Sequence, residues 1–342
     1  MRAPRFWYDK EPGAVARALQ PFGALYGEIA ARRMAITGGH PGAPVVTIGN
    51  FVAGGAGKTP TAIAVAQLLM AQGERPVFVS RGYGGRLARG GPPAQVVGQA
   101  ATEVGDEPIL LAQFAPTFVG ADRSEAARFA VDEVAPSVLV LDDGLQSRTV
   151  EPDIAIAVVD GATGVGNGLC FPAGPLRAPL DRQIARVSAV VIIGPGEPGE
   201  ATAAHALAAN KPVLRARLEA DERARALNGR KVVAFAGIGL PEKFFATIDG
   251  LGAWIAARRD FPDHHRYSET ELAELYELAE QNGALLVTTQ KDAVRLPPPP
   301  AGARAPIAIP VRLVFDDEEA AARLLRTGLA RVRPWESRAS TK

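Results

Sequence analysis

A glycine-rich segment between a short β-rich run and a helical pattern constrains this chain more than any other feature. Val45 to Ile48 is typical of a strand, and the glycine-rich segment after it leads directly into a helix predicted from Thr59 to Gln72. Glycine lets backbone amides turn toward a phosphate, and the helix N-terminus adds unpaired N–H groups and a favourable dipole. In such loops a lysine reaches the β- and γ-phosphates and a threonine hydroxyl holds Mg²⁺. The segment predicts a phosphate-binding loop whose nucleotide-binding residues are Gly54, Gly55, Ala56, Gly57, Lys58, Thr59 and Pro60.

One position departs from the usual pattern of such a loop. Val52 stands where its first glycine is normally found. A second feature nevertheless supports the prediction, because the apolar run Val138 to Leu141 ends in Asp142 and Asp143. An acid at the end of such a strand holds Mg²⁺ directly or through water in nucleotide-phosphate enzymes. Since adjacent side chains of an extended chain point to opposite sides, we expect the two acids to serve different partners.

Strand and helix patterns alternate after residue 36 and predict an α/β fold. Continuous apolar strands are typical of a parallel sheet that helices cover on both faces. The first domain is predicted to span residues 36–224 and to be P-loop NTPase-like. Its further strands are predicted at Pro76–Ser80, Ile154–Val159 and Ala189–Ile193.

A second, smaller α/β domain is predicted for residues 225–330. Ser268 is the expected N-cap of a helix from Glu269 to Glu280. Residues 331–342 are expected to form a flexible tail. The predicted strands of this domain are Val232–Ala236, Ala253–Ala256, Leu285–Thr288 and Ile307–Val314.

An amphipathic helix is predicted for residues 12–33, within an N-terminal segment of residues 1–35. Pro21 is expected to kink or split it. Basic residues outnumber acidic ones here, which is typical of a helix that lies on an anionic membrane. The same periodicity is found in helices that pack on their own domain, so both interpretations stay open on pattern alone. The apolar stripe, within an arc of about 120°, comprises Val15, Leu19, Phe22, Leu25, Tyr26 and Ile29.

Composition excludes several other classes of protein. The 342 residues carry a formal net charge of +1, so no overall basic field indicates nucleic-acid binding. A single cysteine, Cys170, excludes an internal disulfide framework and is typical of a reducing compartment. The sequence contains neither a run of roughly 18 apolar residues nor the apolar segment of a signal peptide. We therefore expect a cytoplasmic protein, and no obligatory protein partner is evident.

Three further segments carry polar groups suited to catalysis. Gly105 to Pro108 places Asp106 and Glu107 in a turn, and Ser80 to Gly85, which includes Tyr83, follows a strand. Phe261 to Tyr267 contains His264 and His265, two of the four histidines. Histidine is a natural general acid or base near neutral pH. Each segment alone is also compatible with an ordinary surface turn or connection.

Taken together and in this order, the segments resemble the tetraacyldisaccharide 4'-kinases, a family of lipid A biosynthesis. The resemblance implies transfer of the γ-phosphoryl group of ATP, with Mg²⁺, to the 4'-hydroxyl of tetraacyldisaccharide 1-phosphate. It also implies peripheral attachment to the cytoplasmic face of the inner membrane through residues 12–33, which favours the membrane-facing interpretation. The matching segments are Thr47–Pro60, Ser80–Gly85, Gly105–Pro108, Gly120–Arg123, Leu141–Gln146, Pro172–Arg177, Phe261–Tyr267 and Thr288–Leu296.

The resemblance further implies roles for individual residues. Asp106 is the implied base, His264 its partner, and Lys58 the catalytic lysine of the loop. The implied Mg²⁺ ligands are Thr59, Glu107, Asp142 and Asp143. The implied substrate contacts are Asn50, Tyr83, Arg123, Gln146 and Arg177. Three positions depart from the family pattern: Ala178 and Gln290 replace glutamates, and Ser147 replaces a histidine. No role for a carboxylate at position 178 carries over.

Two other classes of protein use a phosphate loop. A switch GTPase is disfavoured because Thr289-Gln290-Lys291-Asp292 has the wrong order for a guanine-reading element. A partitioning ATPase is disfavoured because Ala53, rather than a lysine, precedes Gly54. An ATP-dependent ligase acting on a carboxylate stays open on the residues alone. The destination of the ATP γ-phosphate distinguishes a kinase from a switch protein.

Overall fold

The computed structural model describes residues 3–36, 38–146 and 149–333. The strands are β1 (Val45–Asn50), β2 (Pro76–Ser80), β3 (Ala94–Gln95), β4 (Thr117–Val119), β5 (Val138–Asp142), β6 (Ile154–Asp160), β7 (Ala189–Ile193), β8 (Val213–Ala220), β9 (Lys231–Ala236), β10 (Trp254–Asp260), β11 (Leu285–Thr289), β12 (Ile307–Ile309) and β13 (Val311–Phe315). The helices are α1 (Ala14–Met34), α2 (Lys58–Ala71), α3 (Ala101–Val104), α4 (Asp106–Leu111), α5 (Arg123–Val134), α6 (Leu180–Ala185), α7 (Glu197–Ala208), α8 (Pro241–Gly250), α9 (Glu269–Gln281), α10 (Gln290–Ala293) and α11 (Glu318–Val332).

Nine strands form a mainly parallel sheet in the order β13-β8-β7-β6-β1-β5-β2-β4-β3. Its edge strands β3 and β13 run antiparallel to their neighbours. Helices α2 and α11 cover one face, and α5, α6 and α7 cover the other. Because the central strands are buried on both faces, their sequences are mainly apolar rather than alternating, with polar residues at their carboxyl ends. The predicted α/β, P-loop NTPase-like architecture is thus confirmed, and we call this sheet with its helices the large unit.

Four parallel strands form a second sheet in the order β10-β9-β11-β12. Helix α8 packs on one face and α9 on the other. Ser268 caps α9 as predicted, in a capping box with Glu271 that satisfies amide hydrogens at the start of the helix. We call this sheet, with α8, α9 and α10, the small unit.

The predicted strand Ile307–Val314 is wrong as a single element. Pro310 separates β12, which lies in the small sheet, from β13, which pairs with β8 at the edge of the large sheet. Proline has no amide hydrogen to donate to a sheet and a fixed φ, so the chain changes sheets there. The predicted domain 225–330 therefore includes two elements, β13 and α11, whose side chains complete the core of the large unit.

The predicted tail, residues 331–342, is ordered at its start. Helix α11 ends at Val332, and Arg333 donates to both oxygens of Glu74 at 2.7 and 2.9 Å. The rest of that segment, like the departure at Ser147, lies outside the described residues.

Helix α1 continues through Pro21, so the helix is not split in two, and the other expected outcome, a kink at Pro21, stays a prediction. The helix packs on the large unit through small residues: a Cβ added to Gly23 would lie 2.6 Å from the carbonyl oxygen of Cys170, and one added to Gly27 would lie 2.7 Å from its Sγ. The predicted apolar stripe faces outward instead, and Phe22 and Leu25 are 66% and 63% exposed. Across the described ranges, no helix has the length and apolar character needed to cross a bilayer.

Candidate active site

The phosphate loop lies between the end of β1 and the start of α2. Gly54 and Gly57 have φ values of +127° and +83°, which residues with a side chain rarely adopt. A Cβ at Gly57 would also lie 2.7 Å from Cδ1 of Ile193 on β7. Helix α2 begins at Lys58, so its free amide groups point into the loop. The loop has the backbone that phosphate binding requires.

Two polar side chains hold the loop in shape from inside. The Asn50 amide donates to the Gly54 carbonyl at 2.9 Å, and Lys58 Nζ donates to the same oxygen at 3.3 Å. Asn50 Oδ1 is buried and has no hydrogen-bond partner in the part of the chain that the structure describes. The structure thus places Asn50, which the resemblance assigned to substrate, against the phosphate loop.

The paired acids at the end of β5 face different partners, as expected. Parallel pairing sets Asp142 opposite Ile48 of β1, and the Thr59 hydroxyl donates to Asp142 Oδ2 at 3.1 Å. Asp143 has a positive φ of 54° and lies 3.6 Å from both Lys58 Nζ and Arg177 Nη1. A non-glycine residue held in this region is strained, which is common at functional sites.

The electrostatics of the two acids differ accordingly. Burial, together with the nearby negative charge of Glu107, raises the pKa of Asp142 to about 7. Burial also opposes ionisation of Asp143, but the charges of Lys58, Arg177 and Arg123 outweigh it and lower its pKa. Asp143 is therefore surrounded by cations, whereas at Asp142 burial and the charges of Glu107 and Asp143 outweigh the charge of Lys58.

The residues around Asp142 fit Mg²⁺. Among the described residues, Asp142 Oδ1 is buried without a hydrogen-bond partner, and the Thr59 hydroxyl lies against the other oxygen. Mg²⁺ binds through one or two protein oxygens together with substrate phosphates and water, and these two side chains supply oxygens of that kind.

The remaining predicted substrate contacts form a frame around Asp143 and the start of the phosphate loop. Arg177 donates to the Val52 carbonyl at 3.0 Å and to Gln146 Oε1 at 3.1 Å. Gln146 donates to the Asn50 carbonyl at 2.8 Å, and Arg123 donates to the Asp143 carbonyl at 2.9 Å. The structure brings these side chains together, and each of them makes a hydrogen bond to the protein.

Asp106 and His264 meet although 158 positions separate them. His264 Nδ1 lies 3.1 Å from Asp106 Oδ2, where the small unit contacts the large one. His264 has a positive φ of 58°, and its amide donates to the Gly237 carbonyl at 3.1 Å. The Tyr83 ring lies edge-on to the imidazole, with centroids 5.5 Å apart. Tyr83 itself is 67% exposed.

Glycines bring the Tyr83 loop close to Asp106. A Cβ at Gly105 would lie 2.7 Å from the Tyr83 carbonyl, and one at Gly82 would lie 2.6 Å from the Val104 carbonyl. Gly105 also has a φ of +89°. The glycines of both motifs therefore permit a backbone contact that no larger residue allows.

Lys291 and Arg295 belong to the site but were not predicted. Lys291 Nζ donates to Glu107 Oε1 at 3.0 Å and lies 3.4 Å from His264 Nε2. An ammonium group can only donate, so this contact assigns the acceptor role to Nε2 and the proton of the neutral imidazole to Nδ1, directed at Asp106. Arg295 Nε lies 3.6 Å from Asp106 Oδ2. In the sequence, the only indication of a role for these two residues was that both lie within the matching segment Thr288–Leu296.

These contacts keep Asp106 ionised. Burial opposes ionisation, but the hydrogen bond from His264 and the charges of Lys291 and Arg295 outweigh it and lower the pKa of Asp106. Arg295 is in turn fixed by Asp292, which accepts from it at 2.7 Å and from the Tyr267 hydroxyl at 2.8 Å.

Ala178, one of the three positions that depart from the family pattern, is fully buried, and its carbonyl accepts a hydrogen bond from the Gln183 side chain at 2.7 Å.

A phosphate loop, an acid at the end of the neighbouring parallel strand and an Asp–His pair beside them define a phosphotransferase with a P-loop NTPase-like fold. The model of the tetraacyldisaccharide-1-P 4'-kinase family matches residues 15–329. The chain belongs to this family of kinases, as its motifs indicated.

Individual relatives agree with this assignment. A tetraacyldisaccharide 4'-kinase of Methylobacterium nodulans is 50% identical over 340 residues, which cover 98% of this chain and 97% of the relative. One from Rhodopseudomonas palustris is 47% identical, with 97% of each chain covered. The crystal structure of an LpxK from Aquifex aeolicus, described as an "apo" form in complex with ATP, is 25% identical with a TM-score of 0.71 and covers 92% of this chain and 99% of that one.

Proposed function

We propose that this protein transfers the γ-phosphoryl group of ATP to the 4'-hydroxyl of tetraacyldisaccharide 1-phosphate. Family membership supports the reaction, and one observation carries its assignment to residues: Asp106 and His264 lie 3.1 Å apart beside Glu107, whose charge acts on Asp142 at the phosphate loop. The nucleotide phosphates bind to the amides of residues 54–59, as in other phosphate loops.

Each group has a task in the transfer. The substrate hydroxyl donates a hydrogen bond to Asp106, which His264 holds in position, and its oxygen attacks the γ-phosphorus. The bond from phosphorus to the β-bridging oxygen breaks, the new O4'–P bond forms, and the hydroxyl proton passes to Asp106. A base of low pKa suits this reaction, because the loose transition state needs orientation more than early deprotonation. Lys58 neutralises charge that develops on the phosphates.

Mg²⁺ is proposed to bind at Asp142 and the Thr59 hydroxyl, where it supplies charge neutralisation for the phosphates. Among the described residues, Asp142 Oδ1 and Asp143 Oδ1 are both buried without a hydrogen-bond partner, and Asp142 is favoured because its Oδ2 lies against the Thr59 hydroxyl while Asp143 Oδ1 faces cations of the protein. Asp143 is engaged by Lys58 and Arg177, and Glu107 by Lys291.

The outward stripe of α1 supports attachment to a membrane surface. Small residues face the protein while Val15, Phe22 and Leu25 are exposed, and Arg32 and Arg33 lie in the last turn of the helix. Apolar side chains beside cations favour an interfacial position on anionic lipid. We place the protein on the cytoplasmic face of the inner membrane, where its acylated substrate keeps its chains in the bilayer.

The test uses ATP labelled at the γ-phosphate and the disaccharide lipid in mixed micelles. Recovery of the label in extracted lipid, at the 4'-position, is the expected result. Release of the label only as inorganic phosphate would indicate a switch ATPase, and label release dependent on a carboxylate substrate would indicate a ligase.

A further inference from the structure

Two groups of contacts join the small unit to the large unit beside the phosphate loop. One is at the active site, where His264, Lys291 and Arg295 contact Asp106 and Glu107. The other is an ion pair between Lys243, in the first turn of α8, and Asp160, the last residue of β6. Neither member of this ion pair belongs to a motif that the resemblance identified.

The Asp160 carboxylate is held in one orientation. Its Oδ1 accepts from the amides of Ala162 at 3.0 Å and Thr163 at 3.3 Å, which leaves Oδ2 for Lys243. The Asp160 side chain is 8% exposed, whereas that of Lys243 is 47% exposed. A buried carboxylate needs a cation or several hydrogen bonds to offset its desolvation. Lys243 is the cation that the structure supplies from the other unit.

The ion pair lies between the connection of the two units and the contacts at the active site. The chain joins the two units at the ends of β8 and β13, at one edge of the large sheet. Asp160 ends β6, two strands inward, or about 10 Å at the usual strand spacing. The active-site contacts lie beyond β1 and β5. Because the ion pair lies between the connection and the catalytic contacts, it restricts rotation of the small unit about the connection.

Lys243 and His264 are parts of one packed body. Phe244, Phe245 and Ile248 of α8 share a core with β9, and the His264 amide donates to Gly237, the residue after β9. A shift of α8 therefore moves His264 relative to Asp106.

We propose that Lys243 is a positioning residue for phosphoryl transfer, because its ion pair with Asp160 fixes the small unit in the orientation that brings His264 to Asp106. The inference rests on the proposed function of the Asp106–His264 pair. It contrasts with the ordinary behaviour of a partly exposed ion pair, which contributes little to folding stability.

Kinetics of two single variants test the proposal. Lys243→Met removes the cation, and Asp160→Asn keeps the Oδ1 acceptor while it removes the charge. Both are expected to lower kcat by about tenfold to a hundredfold, since a misplacement of about 1 Å has effects of that size. Equilibrium ATP binding should change by less than about twofold, and Lys243→Arg should restore most of kcat. Asp249→Asn, which breaks the ion pair with Arg258 inside the small unit, is the matched control.

A double variant tests whether Lys243 acts through His264. In a His264→Ala background, Lys243→Met should lower kcat by a smaller factor than in the wild type, because the principal group that it positions is absent while Lys291 and Arg295 remain. Wild-type kcat in Lys243→Met, or a loss that multiplies with that of His264→Ala, would overturn the proposal.

A distance measurement separates this proposal from the proposed function. In a Cys170→Ser background, spin labels at Trp254→Cys and Val97→Cys report on the two units, since both native side chains are more than two-thirds exposed, at 73% and 71%. Lys243→Met should broaden the distance distribution, and Asp249→Asn should leave it unchanged. A broadened distance distribution in a protein that lacks kinase activity would support the proposed role of the ion pair and refute the proposed function. An unchanged distribution in an active kinase would refute the ion pair's role.

Discussion

Replacement of Phe22 and Leu25 by glutamate tests which partner the apolar stripe of α1 contacts. Their exposed fractions are 66% and 63%, so about two-thirds of each side chain is available to a lipid surface. Complete burial of such a side chain stabilises by about 1.5–3 kcal/mol. Two-thirds of that is about 1–2 kcal/mol per residue, and the pair contributes about 2–4 kcal/mol to membrane binding.

The assay is co-sedimentation with phosphatidylcholine vesicles that contain phosphatidylglycerol. A difference of about 2–4 kcal/mol corresponds to a partition coefficient about 30-fold to 700-fold lower. The control carries Gln20→Glu and Ala24→Glu, two exposed positions away from the stripe on the same helix. Because this control adds the same charge, the difference between the two proteins isolates the apolar contribution.

The double variant is expected to stay folded, since the replaced side chains are mostly exposed. Equal partitioning of the stripe variant and its control would refute the membrane-facing assignment. Loss of the folded circular dichroism signal in the stripe variant alone would show that the stripe packs inward.

Further predictions concern the active site. Lys58→Ala should lower the steady-state rate by about two or more orders of magnitude, because electrostatic groups of this kind contribute several kcal/mol; a rate within about threefold of wild type would contradict the phosphate-loop assignment. Asp142→Asn should raise the Mg²⁺ concentration for half-maximal activity more than Glu107→Gln does, and the reverse order would place the ion on Glu107. Nitrogen-15 NMR should find the His264 proton on Nδ1 in wild type and a mixture of tautomers in Lys291→Met, whereas an Nε2 proton in wild type would contradict the contact with Lys291.

The sequence predicted those features that depend on local pattern. The phosphate loop, the acids after β5 and the Ser268 cap each depend on a few adjacent residues, and their structures follow from backbone preferences and capping. The Pro310 crossing was not predictable in this way. Its apolar pattern continues from β12 into β13, and only tertiary pairing with β8 reveals that the chain has changed sheets.

The active-site residues also divide into those that short motifs predicted and those that only long-range contacts reveal. Asp106 and His264 were named from separate segments, but Lys291 and Arg295 were missed because their partners lie more than 180 positions away in sequence. Arg177 and Gln146 were assigned to substrate, yet they contact each other, and Arg177 also contacts the phosphate loop. No periodicity in a single sequence encodes such long-range contacts, because they depend on how the two sheets are placed.

The central claim is that Asp106 and His264 act as one catalytic unit. Single-turnover transfer of γ-labelled phosphate to lipid, measured alongside equilibrium ATP binding, tests it in Asp106→Ala, His264→Ala and the double variant. The account predicts a strong loss of rate in each single variant, nearly unchanged ATP affinity, and a double variant only slightly slower than the poorer single one. Fully multiplicative losses would show that the two residues act independently. A large loss of ATP affinity in Asp106→Ala would place that carboxylate on the nucleotide rather than on the attacking hydroxyl.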